Sequence, residues 1–494
     1  MSLSTSLEPL PEKNFGFDQA RHLLNRAGFG GSAEQIKSLE EMGLRKAVDY
    51  LVDYDKIDIA DLPQAEVDPD IIQPPTRDQR RQMRQARRDD NEQARRNIRM
   101  ERQRRQQTDR QQMESLTRWW LERMIMTPRP LEEKLVLLWH CHFATSNRTV
   151  RDSYLMYRQN TLFRKYARDS FTKLANGIIH DPAMIRFLDN HNNRKRKPNE
   201  NLARELMELF TLGEGNYKEQ DIKQGAAALT GYTFHDNEFF FDQNQHDDGT
   251  KSILGHKGRF DGDDFVRLLL GRKACAEFVS YKLYKHFVAD LDLKTGPGAQ
   301  SVIKRMARYL RAKRYNLAPV LKKLFKSRHF YDPHVMGNKI KSPVQLVVGS
   351  IRALQTPPRD LALLVDAVGT MGQQLFAPPS VAGWPGGRSW INTSTLFIRQ
   401  NANTYLLTGK LPSHGRWERS QIEYDPIILV KDHIASGPDQ VLDHLMAVLL
   451  GPNIHSQRRE PVLSILNDGG GPITRDRLIG ALLLITSMPE YQLC

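Results

Sequence analysis

Apolar residues recur every three to four positions along most of the chain, which is the spacing of an amphipathic helix. In the first such segment, residues 17–30, the apolar positions share one face and the helix stops at Gly28. Ser32 then caps a second helix, because its side chain can accept a hydrogen bond from the first turn. The run LEEKLVLLWHCHF (131–143) follows two prolines and is more hydrophobic, so it predicts a buried helix.

Similar patterns predict helices through the rest of the chain, with one exception. Residues 232–255 contain an Asp-Asn pair between aromatic runs (YTFHDNEFFFDQ), which predicts a β-hairpin. The predicted fold class is all-α, a large multi-helical bundle with one small β-hairpin in a single interwoven domain, residues 1–494. The other main predicted helices span residues 152–166, 171–176, 182–189, 201–212, 219–230, 262–270, 274–287, 342–354, 395–406, 441–450, 460–466 and 475–486.

An Arg/Gln-rich segment, residues 77–112, interrupts this pattern. It contains good helix formers but no apolar stripe, so it predicts a helix that is polar all round. Thirteen arginines stand against six acids between Arg77 and Arg110, an excess of seven that is half of the net charge of +14. We interpret residues 77–112 as a helical insertion in the helical body.

Composition and motifs exclude several classes of protein. No run reaches the roughly 18 apolar residues of a membrane-spanning helix, and residues 1–15 lack the features of a secretion signal, so we expect a cytoplasmic location. Cys141, Cys275 and Cys494 are too far apart to indicate a disulfide framework or a cysteine-rich zinc site. The sequence also has no HExxH, Walker A or GxSxG motif.

Six segments carry distinctive motifs in a fixed order: HLLNRAGFG (22–30), RWWLERMIMTPRPLEEKLVLLWHCHFATS (118–146), PNENLARELMELFTLGEGNY (198–217), AAALTGYTF (226–234), HDDGTKSILG (246–255) and VAGWPGGRSWI (381–391). Together they resemble the bacterial proteins grouped as domain of unknown function 1800. The resemblance spans nearly the whole chain, and its most specific parts are WHxHF and NENxARELxELxTLG.

The resemblance implies little about chemistry, because the family has no agreed activity. Family members often have genomic neighbours that look like alkaline-phosphatase-type hydrolases and carry export signals, which implies an association with the cell envelope. Two residues depart from the family pattern: Cys141 stands where we expect Asn or Gly, and Tyr232 stands where we expect Trp.

The motif WHCHF places His140 and His142 two residues apart. On an α-helix these side chains point about 200° apart, so both can bind one metal only if the helix unwinds near residues 144–147. The alternative is that His140 is a core histidine bonded to a backbone carbonyl while His142 faces solvent.

The segment 199–208 offers a pair of carboxylates. Asn201, Glu205 and Glu208 fall at i, i+4 and i+7, hence on one face of a helix. Two carboxylates one turn apart can chelate a cation or act as general acid and base. The alternative is an exposed ion pair between Arg204 and Glu208.

These motifs combine into a hypothesis of a metal-dependent enzyme, a hydrolase or an oxidoreductase. Its predicted metal ligands, for zinc, iron or manganese, are His140, His142, Glu205, Glu208 and His246, and the two glutamates are also its catalytic residues. Loops carry many binding sites, so the predicted substrate-binding residues are Trp384, Arg388 and Trp390, with Asn201. The alternative for this loop is a turn whose tryptophans fill the core.

The competing hypothesis is a non-enzymatic scaffold that binds a partner through the Arg-rich segment. Residues 77–110 contain no aromatic side chain, so stacking on single-stranded bases is not indicated and nucleic acid is disfavoured as the partner. An anionic polymer, a lipid surface or an acidic protein partner fits the charge of the segment. A solvated helix without a partner is the remaining alternative.

Overall fold

The computed structural model describes residues 3–73, 76–89, 91–290, 297–413, 416–451, 454–468 and 470–494. The fold class is all-α, as the sequence predicts. The described residues form the helices α1 (Phe17–Ala27), α2 (Ala33–Val52), α3 (Arg77–Arg88), α4 (Glu92–Met126), α5 (Pro130–His142), α6 (Asn147–Val150), α7 (Ser153–Tyr166), α8 (Phe171–Ile179), α9 (Pro182–Phe187), α10 (Asn201–Glu205), α11 (Glu219–Ala228), α12 (Gly262–Gly271), α13 (Lys273–Phe287), α14 (Pro297–Ala312), α15 (Leu317–Phe325), α16 (Pro343–Leu354), α17 (Leu361–Thr370), α18 (Thr393–Thr408), α19 (Pro438–Leu449), α20 (Arg459–Asn467) and α21 (Arg475–Ser487).

Side-chain caps fix the starts of several helices. The Ser32 hydroxyl accepts a hydrogen bond from the Gln35 amide, which satisfies a donor in the first turn of α2 as the sequence predicts. Asp360 does the same for α17, whose apolar pattern alone did not predict a helix. Pro130 occupies the first position of α5, where its missing N–H costs no hydrogen bond.

The longest described helix is α4, whose 35 residues extend over roughly 50 Å. Its first buried residue is Asp109, so the preceding turns lie outside the hydrophobic core. We call residues 77–110 the arginine arm, which comprises α3 and the first half of α4. The second half of α4 is amphipathic and packs into the body through buried residues such as Trp120 and Met124.

Three antiparallel two-stranded sheets accompany the helices in the described residues. The β-hairpin predicted at 232–255 is present but shorter: it consists of β1 (Tyr232–His235) and β2 (Glu238–Phe241), joined by Asp236 and Asn237 with φ of 47° and 65°. Those positive φ values are the ones that a tight hairpin turn requires. The other strands are β3 (Lys251–Ile253), β4 (His256–Gly258), β5 (Lys410–Ser413) and β6 (Arg416–Arg419).

The hydrophobic core is one continuous cluster of side chains that runs from Leu7 to Tyr491. Helix α5 is buried on nearly every side, which agrees with the prediction from its hydrophobic sequence. It packs against α1, α2, α4 and α7, so its polar side chains are enclosed by other helices. Among the described helices none combines the length and the apolar character needed to cross a bilayer.

Candidate functional site

The two histidines of the WHCHF motif are both buried. His140 is 1% exposed, and its ring lies among Trp120, Phe376 and Trp384, at centroid distances of 5.5, 5.7 and 5.5 Å. Burial lowers the pKa of His140 to about 3. His142 is 3% exposed, and its Nε2 lies 2.9 Å from the carbonyl oxygen of Phe210. His142 therefore does not face solvent, contrary to the alternative considered for the sequence.

The carboxylates of Glu205 and Glu208 lie near each other on half-buried positions. Burial and the charge of Glu208 raise the pKa of Glu205, while the Tyr217 hydroxyl donates to Glu208 at 2.7 Å. The helix changes here: α10 ends at Glu205, and residues Leu206–Thr211 form a π-helix. Arg204 pairs with Glu200 and Glu219, at 3.0 and 2.7 Å, instead of the predicted Glu208.

The remaining predicted ligand, His246, is 6% exposed and bonds to the backbone. Its Nδ1 lies 2.9 Å from the carbonyl oxygen of Thr230. Within the described part of the chain, no three histidine, cysteine, aspartate or glutamate side chains are grouped closely enough to hold a metal ion. The metal site stays a prediction, and of its five ligands Glu205 and Glu208 interact electrostatically.

The predicted substrate loop has its tryptophans in the core. Trp384 and Trp390 are 6% and 5% exposed, and Trp384 packs on His140. Arg388 and Asn201 are exposed, and the chain places them in different elements. The tryptophans therefore fill the core, which is the alternative that the sequence left open for this loop.

A groove of about 930 Å³ lies where the arginine arm enters the helical body. Its walls come from α4, α6 and α17, and its lining includes the apolar side chains of Met113, Leu375 and Phe376. Four exposed arginines line the groove: Arg110, Arg118, Arg148 and Arg151. We call this feature the arginine groove.

The guanidinium groups of the arginine groove have no acidic partner in the part of the chain that the structure describes. Among the described residues, no carboxylate forms an ion pair with any of the four. Arg148 donates to the side-chain oxygen of Gln374 at 2.6 Å, and Arg151 donates to the carbonyl oxygen of Arg148 at 3.2 Å. These neutral acceptors orient the two side chains but leave their charges uncompensated.

Three acids also line the arginine groove, and one of them serves another role. Asp109 is 5% exposed and accepts hydrogen bonds of 2.7 Å from both the amide and the hydroxyl of Ser153, at the start of α7. The positive end of that helix favours its charge. Glu114 and Asp366 are exposed, so four cations stand against two exposed acids in the groove.

Two residues of the arginine groove have strained backbone conformations. Arg151 and Phe376 have φ of 51° and 58°, in the left-handed region that bulky side chains rarely occupy. Such strain persists only where the surrounding structure enforces it, and it is frequent at functional sites. The carbonyl oxygen of Phe376 accepts a hydrogen bond from the Asn147 amide at 2.9 Å, which ties two walls of the groove together.

A second cavity, of about 560 Å³, also contains arginines but compensates their charges. We call it the paired cavity. Its arginines pair with acids as follows: Arg129 with Glu132 at 3.7 Å, Arg164 with Glu133 at 2.8 Å, and Arg168 with Asp53 at 3.6 Å.

Glu133 is the centre of the ion pairs beside the paired cavity. It is fully buried, and it accepts hydrogen bonds from Trp120 at 2.9 Å, Arg123 at 2.6 Å and Arg164 at 2.8 Å. Burial by itself would raise the pKa of Glu133, but Arg164 and Arg123 hold it below its ordinary value. Burial and the charge of Glu133 instead raise the pKa of Glu132. The charges of Glu133 and its arginine partners therefore compensate one another within the protein.

The sequence indicates the arginine arm but not the groove at its base. The groove forms where the segments that carry Arg118, Arg148 and Arg151 meet α17 and the turn at 374–377. No spacing in the sequence shows that these segments meet. One available signal was the basic pair in NRTVR (147–151), directly after the WHCHF helix. The adjacent glutamates in LEEK (131–134) likewise indicated charged groups in an apolar helix.

Comparison with known proteins identifies a family. The sequence matches no curated protein and no solved structure. The family model described as a protein of unknown function, DUF1800, matches residues 22–493, nearly the whole chain. All three cysteines are free in the structure, as the sequence predicts, so no disulfide contributes to the fold. The chain belongs to the DUF1800 family.

Proposed function

We propose that this protein binds an anionic polymer along the arginine arm and the arginine groove. The observation that supports the proposal is the set of four groove arginines without an acidic partner among the described residues. Arg105 of the arm, in contrast, pairs with Glu101 at 2.6 Å. A group of unpaired guanidinium groups around one groove is suited to anions supplied from outside.

The arm and the groove form one basic surface. Gln106, Asp109 and Arg110 belong to the end of the arm and also line the groove. The arm adds its excess of seven positive charges to this end of the molecule. An extended ligand with repeated anionic groups can contact both parts at once, whereas a small anion can occupy only one of them.

The chemistry of the surface favours phosphate, sulfate or carboxylate groups on a backbone without bases. Guanidinium groups bind such oxyanions through two parallel hydrogen bonds. The arm offers no aromatic ring for stacking, so its recognition depends on charge and on the spacing of the anions. We therefore expect binding that falls steeply as salt is raised.

The test is fluorescence anisotropy of labelled polyphosphate with the purified full chain, repeated at several salt concentrations. We expect the affinity to fall with salt on a log–log line whose slope reports the number of contacts. The groove variant Arg110→Gln/Arg148→Gln and the arm variant Arg84→Gln/Arg88→Gln/Arg99→Gln/Arg102→Gln should each weaken binding. Each lost contact should reduce the slope by about one.

The matched control is Arg267→Gln, which removes an exposed arginine outside this surface, where it pairs with Asp264 at 2.7 Å. Its affinity should remain that of the wild type. Equal losses per substituted arginine in the control and the groove variant would contradict the proposal, because they would mean that total charge alone governs binding. Tighter binding of polyglutamate than of polyphosphate would point to an acidic protein partner instead.

We also propose, as a second function, that Glu205 and Glu208 bind a divalent metal. Burial of Glu205 and, after it, the charge of Glu208 on the same helical segment raise the pKa of Glu205, and this repulsion supports the hypothesis. A bound cation would relieve their repulsion. The test is metal content by mass spectrometry for the wild type, for Glu205→Gln and for the control Glu219→Gln. Wild-type protein without zinc, iron or manganese, or with a metal that Glu205→Gln retains, would refute it.

A further inference from the structure

Two histidines beside α19 stack their rings on each other. The imidazoles of His433 and His444 have centroids 4.1 Å apart, with 29° between their planes. Both side chains are half-buried. His433 lies between two short 3-10 turns, Pro426–Leu429 and Ile434–Ser436, and His444 lies on α19. The stacked pair therefore joins these two turns to a helix of the body.

The pair holds residues 426–437, which we call the latch segment, against α19. The Nε2 of His444 lies 3.1 Å from the carbonyl oxygen of Leu429, within the segment. The His433 amide donates to the carbonyl oxygen of Val430 at 2.8 Å, and the Val430 side chain is fully buried. The segment contains only short 3-10 turns, so its closed position depends on these few contacts. Segments of this kind open locally before the whole fold does.

Protonation of both imidazoles opposes their stacking, because it places two positive charges side by side. Burial lowers the pKa of His444, and the charge of His433 lowers it further. When the folded pKa of a histidine is lowered, its stabilising contribution is complete above the ordinary value of about 6.5. That contribution is lost as the pH falls from this value towards the lowered one, so acid weakens the contact.

No carboxylate neutralises the pair. Among the described residues, none forms an ion pair with either imidazole. Asp432 precedes His433 in the chain, and its charge raises the pKa of His444. This effect is smaller than those of burial and of His433, so the pKa of His444 remains below its ordinary value.

The other charged groups around the pair interact elsewhere. Lys431 of the latch segment pairs with Glu34 of α2 at 3.6 Å. Asp439 and Asp443 of α19 both lie against Arg459 of α20. The side chains that α2, α16 and the residue after α16 place in the same small cavity as His444 are uncharged: Ala33, Ala353 and Gln355.

We propose that His433 and His444 form a pH-sensitive latch, in which the neutral rings hold the latch segment closed on α19 and acidification releases it. Histidine suits this role because its charge changes in the mildly acidic range. The proposal does not depend on the anionic polymer or on the divalent metal proposed above.

Hydrogen exchange of the full chain, followed by mass spectrometry at about pH 7.5 and about pH 5.5, tests the proposal. Protection factors correct for the intrinsic effect of pH on exchange. One linked proton changes an opening equilibrium by at most about tenfold for each pH unit. We therefore expect protection of the latch segment to fall by up to about tenfold at the lower pH, while the peptides of α5 keep theirs.

The variants separate the pair from other histidines. His433→Phe keeps an aromatic ring at the stack but cannot become charged, so it should reduce the pH dependence, and His433→Phe/His444→Phe should abolish it. The matched control is His235→Phe, since His235 is exposed and packs on Phe240 at 4.9 Å instead of on a second histidine. It should keep the full pH dependence. Equal protection of the wild-type latch segment at both pH values, or a pH dependence that survives in the double variant, would overturn the proposal.

A second measurement decides the question if the double variant leaves the latch segment open at both pH values. Titration of the histidine rings in the wild type by nuclear magnetic resonance should give two separate midpoints for a coupled pair, with the lower one below the ordinary histidine value. Such midpoints support the latch without any variant. Coincident midpoints near about 6.5 would show that the two rings titrate independently and that the proposal is wrong.

Discussion

The arginine groove and the paired cavity use the same residue type for opposite purposes. In the paired cavity, Arg164 meets the buried carboxylate of Glu133 at 2.8 Å, and the charge is satisfied inside the protein. In the arginine groove, Arg148 meets the neutral side chain of Gln374. The two cavities therefore differ in the partner that each arginine meets and not in the type of residue.

This contrast separates charges that stabilise the fold from charges that are available to a ligand. Removing either charge of a buried arginine–carboxylate pair destabilises the protein, because the other charge is left unpaired in an apolar environment. An exposed arginine without a partner contributes little to stability and is free to pair with an external anion. Mutations in the two cavities should therefore affect different measurements.

The largest expected effect is on stability, from Glu133→Gln. The substitution keeps the size of the side chain but leaves Arg123 and Arg164 without their main counter-charge. We expect the free energy of unfolding to fall by about 3–5 kcal/mol. Denaturant unfolding followed by circular dichroism would measure this change.

Glu132→Gln is the matched control for Glu133→Gln. Glu132 is the next residue of α5, and its contacts with Arg123 and Arg129 are longer, at 3.4 and 3.7 Å. Its raised pKa means that burial already disfavours its charged form. The control should therefore lose much less stability than Glu133→Gln, and equal losses would show that the two glutamates are interchangeable and the comparison unsound.

The second expected effect is on binding, from Arg148→Gln in the groove compared with Arg164→Gln beside the paired cavity. Arg148→Gln should weaken polyphosphate binding about fivefold, or ~1 kcal/mol, and should change the free energy of unfolding by less than about 0.5 kcal/mol. Arg164→Gln should do the reverse, destabilising the fold while the folded protein keeps its affinity. Titration calorimetry would measure binding, and denaturant unfolding would measure stability, for both variants. If either variant changed both quantities to a similar extent, the prediction would be wrong.

The comparison also shows what the sequence could predict. Helix positions followed from the 3.6-residue period, and α5 was recognised as buried because its apolar residues cover every side. Helix α17 was missed because LALLVDAVGT is apolar without a clear polar face, and its start depends on the cap at Asp360. The groove needs α4, α6 and α17 together, and that contact is set by packing in three dimensions.

The candidate metal site shows the same limit. Asn201, Glu205 and Glu208 share one face only if this segment is a regular α-helix throughout. The structure has a π-helix from Leu206, which adds residues to the turn and changes the direction of Glu208 relative to Glu205. His140 and His142 were read from spacing alone, which could not show that aromatic rings enclose them.

The third expected effect is a pH dependence of the free energy of unfolding, and it arises from Glu133 beside the paired cavity. Because the folded pKa of Glu133 is lowered, its stabilising contribution is complete above the ordinary carboxyl pKa and is lost as pH falls through the lowered folded value. The stability difference between the wild type and Glu133→Gln should shrink as the pH falls below about 4.5. The corresponding difference for Arg148→Gln should stay near zero over the same range, and unfolding at each pH would show whether it does.

The smallest expected effect has opposite signs for stability and binding, and it comes from Arg151→Gly. Arg151 follows α6 in the left-handed conformation, with φ of 51° and ψ of 49°, which glycine adopts without the strain of a Cβ. Removing that strain should raise the free energy of unfolding by about 0.5–1 kcal/mol, even though the hydrogen bond to the Arg148 carbonyl is lost.

The same change deletes one of the four groove charges, so polyphosphate affinity should fall and the salt slope should decrease by about one. Arg151→Asn is the matched control, since asparagine also tolerates this conformation and also lacks the charge. Both variants should lose the same binding, and the gain in stability should be larger for glycine. A variant that becomes more stable and still binds polyphosphate as tightly as the wild type would contradict the prediction. It would show that the strained backbone at Arg151 is unrelated to the proposed function of the groove.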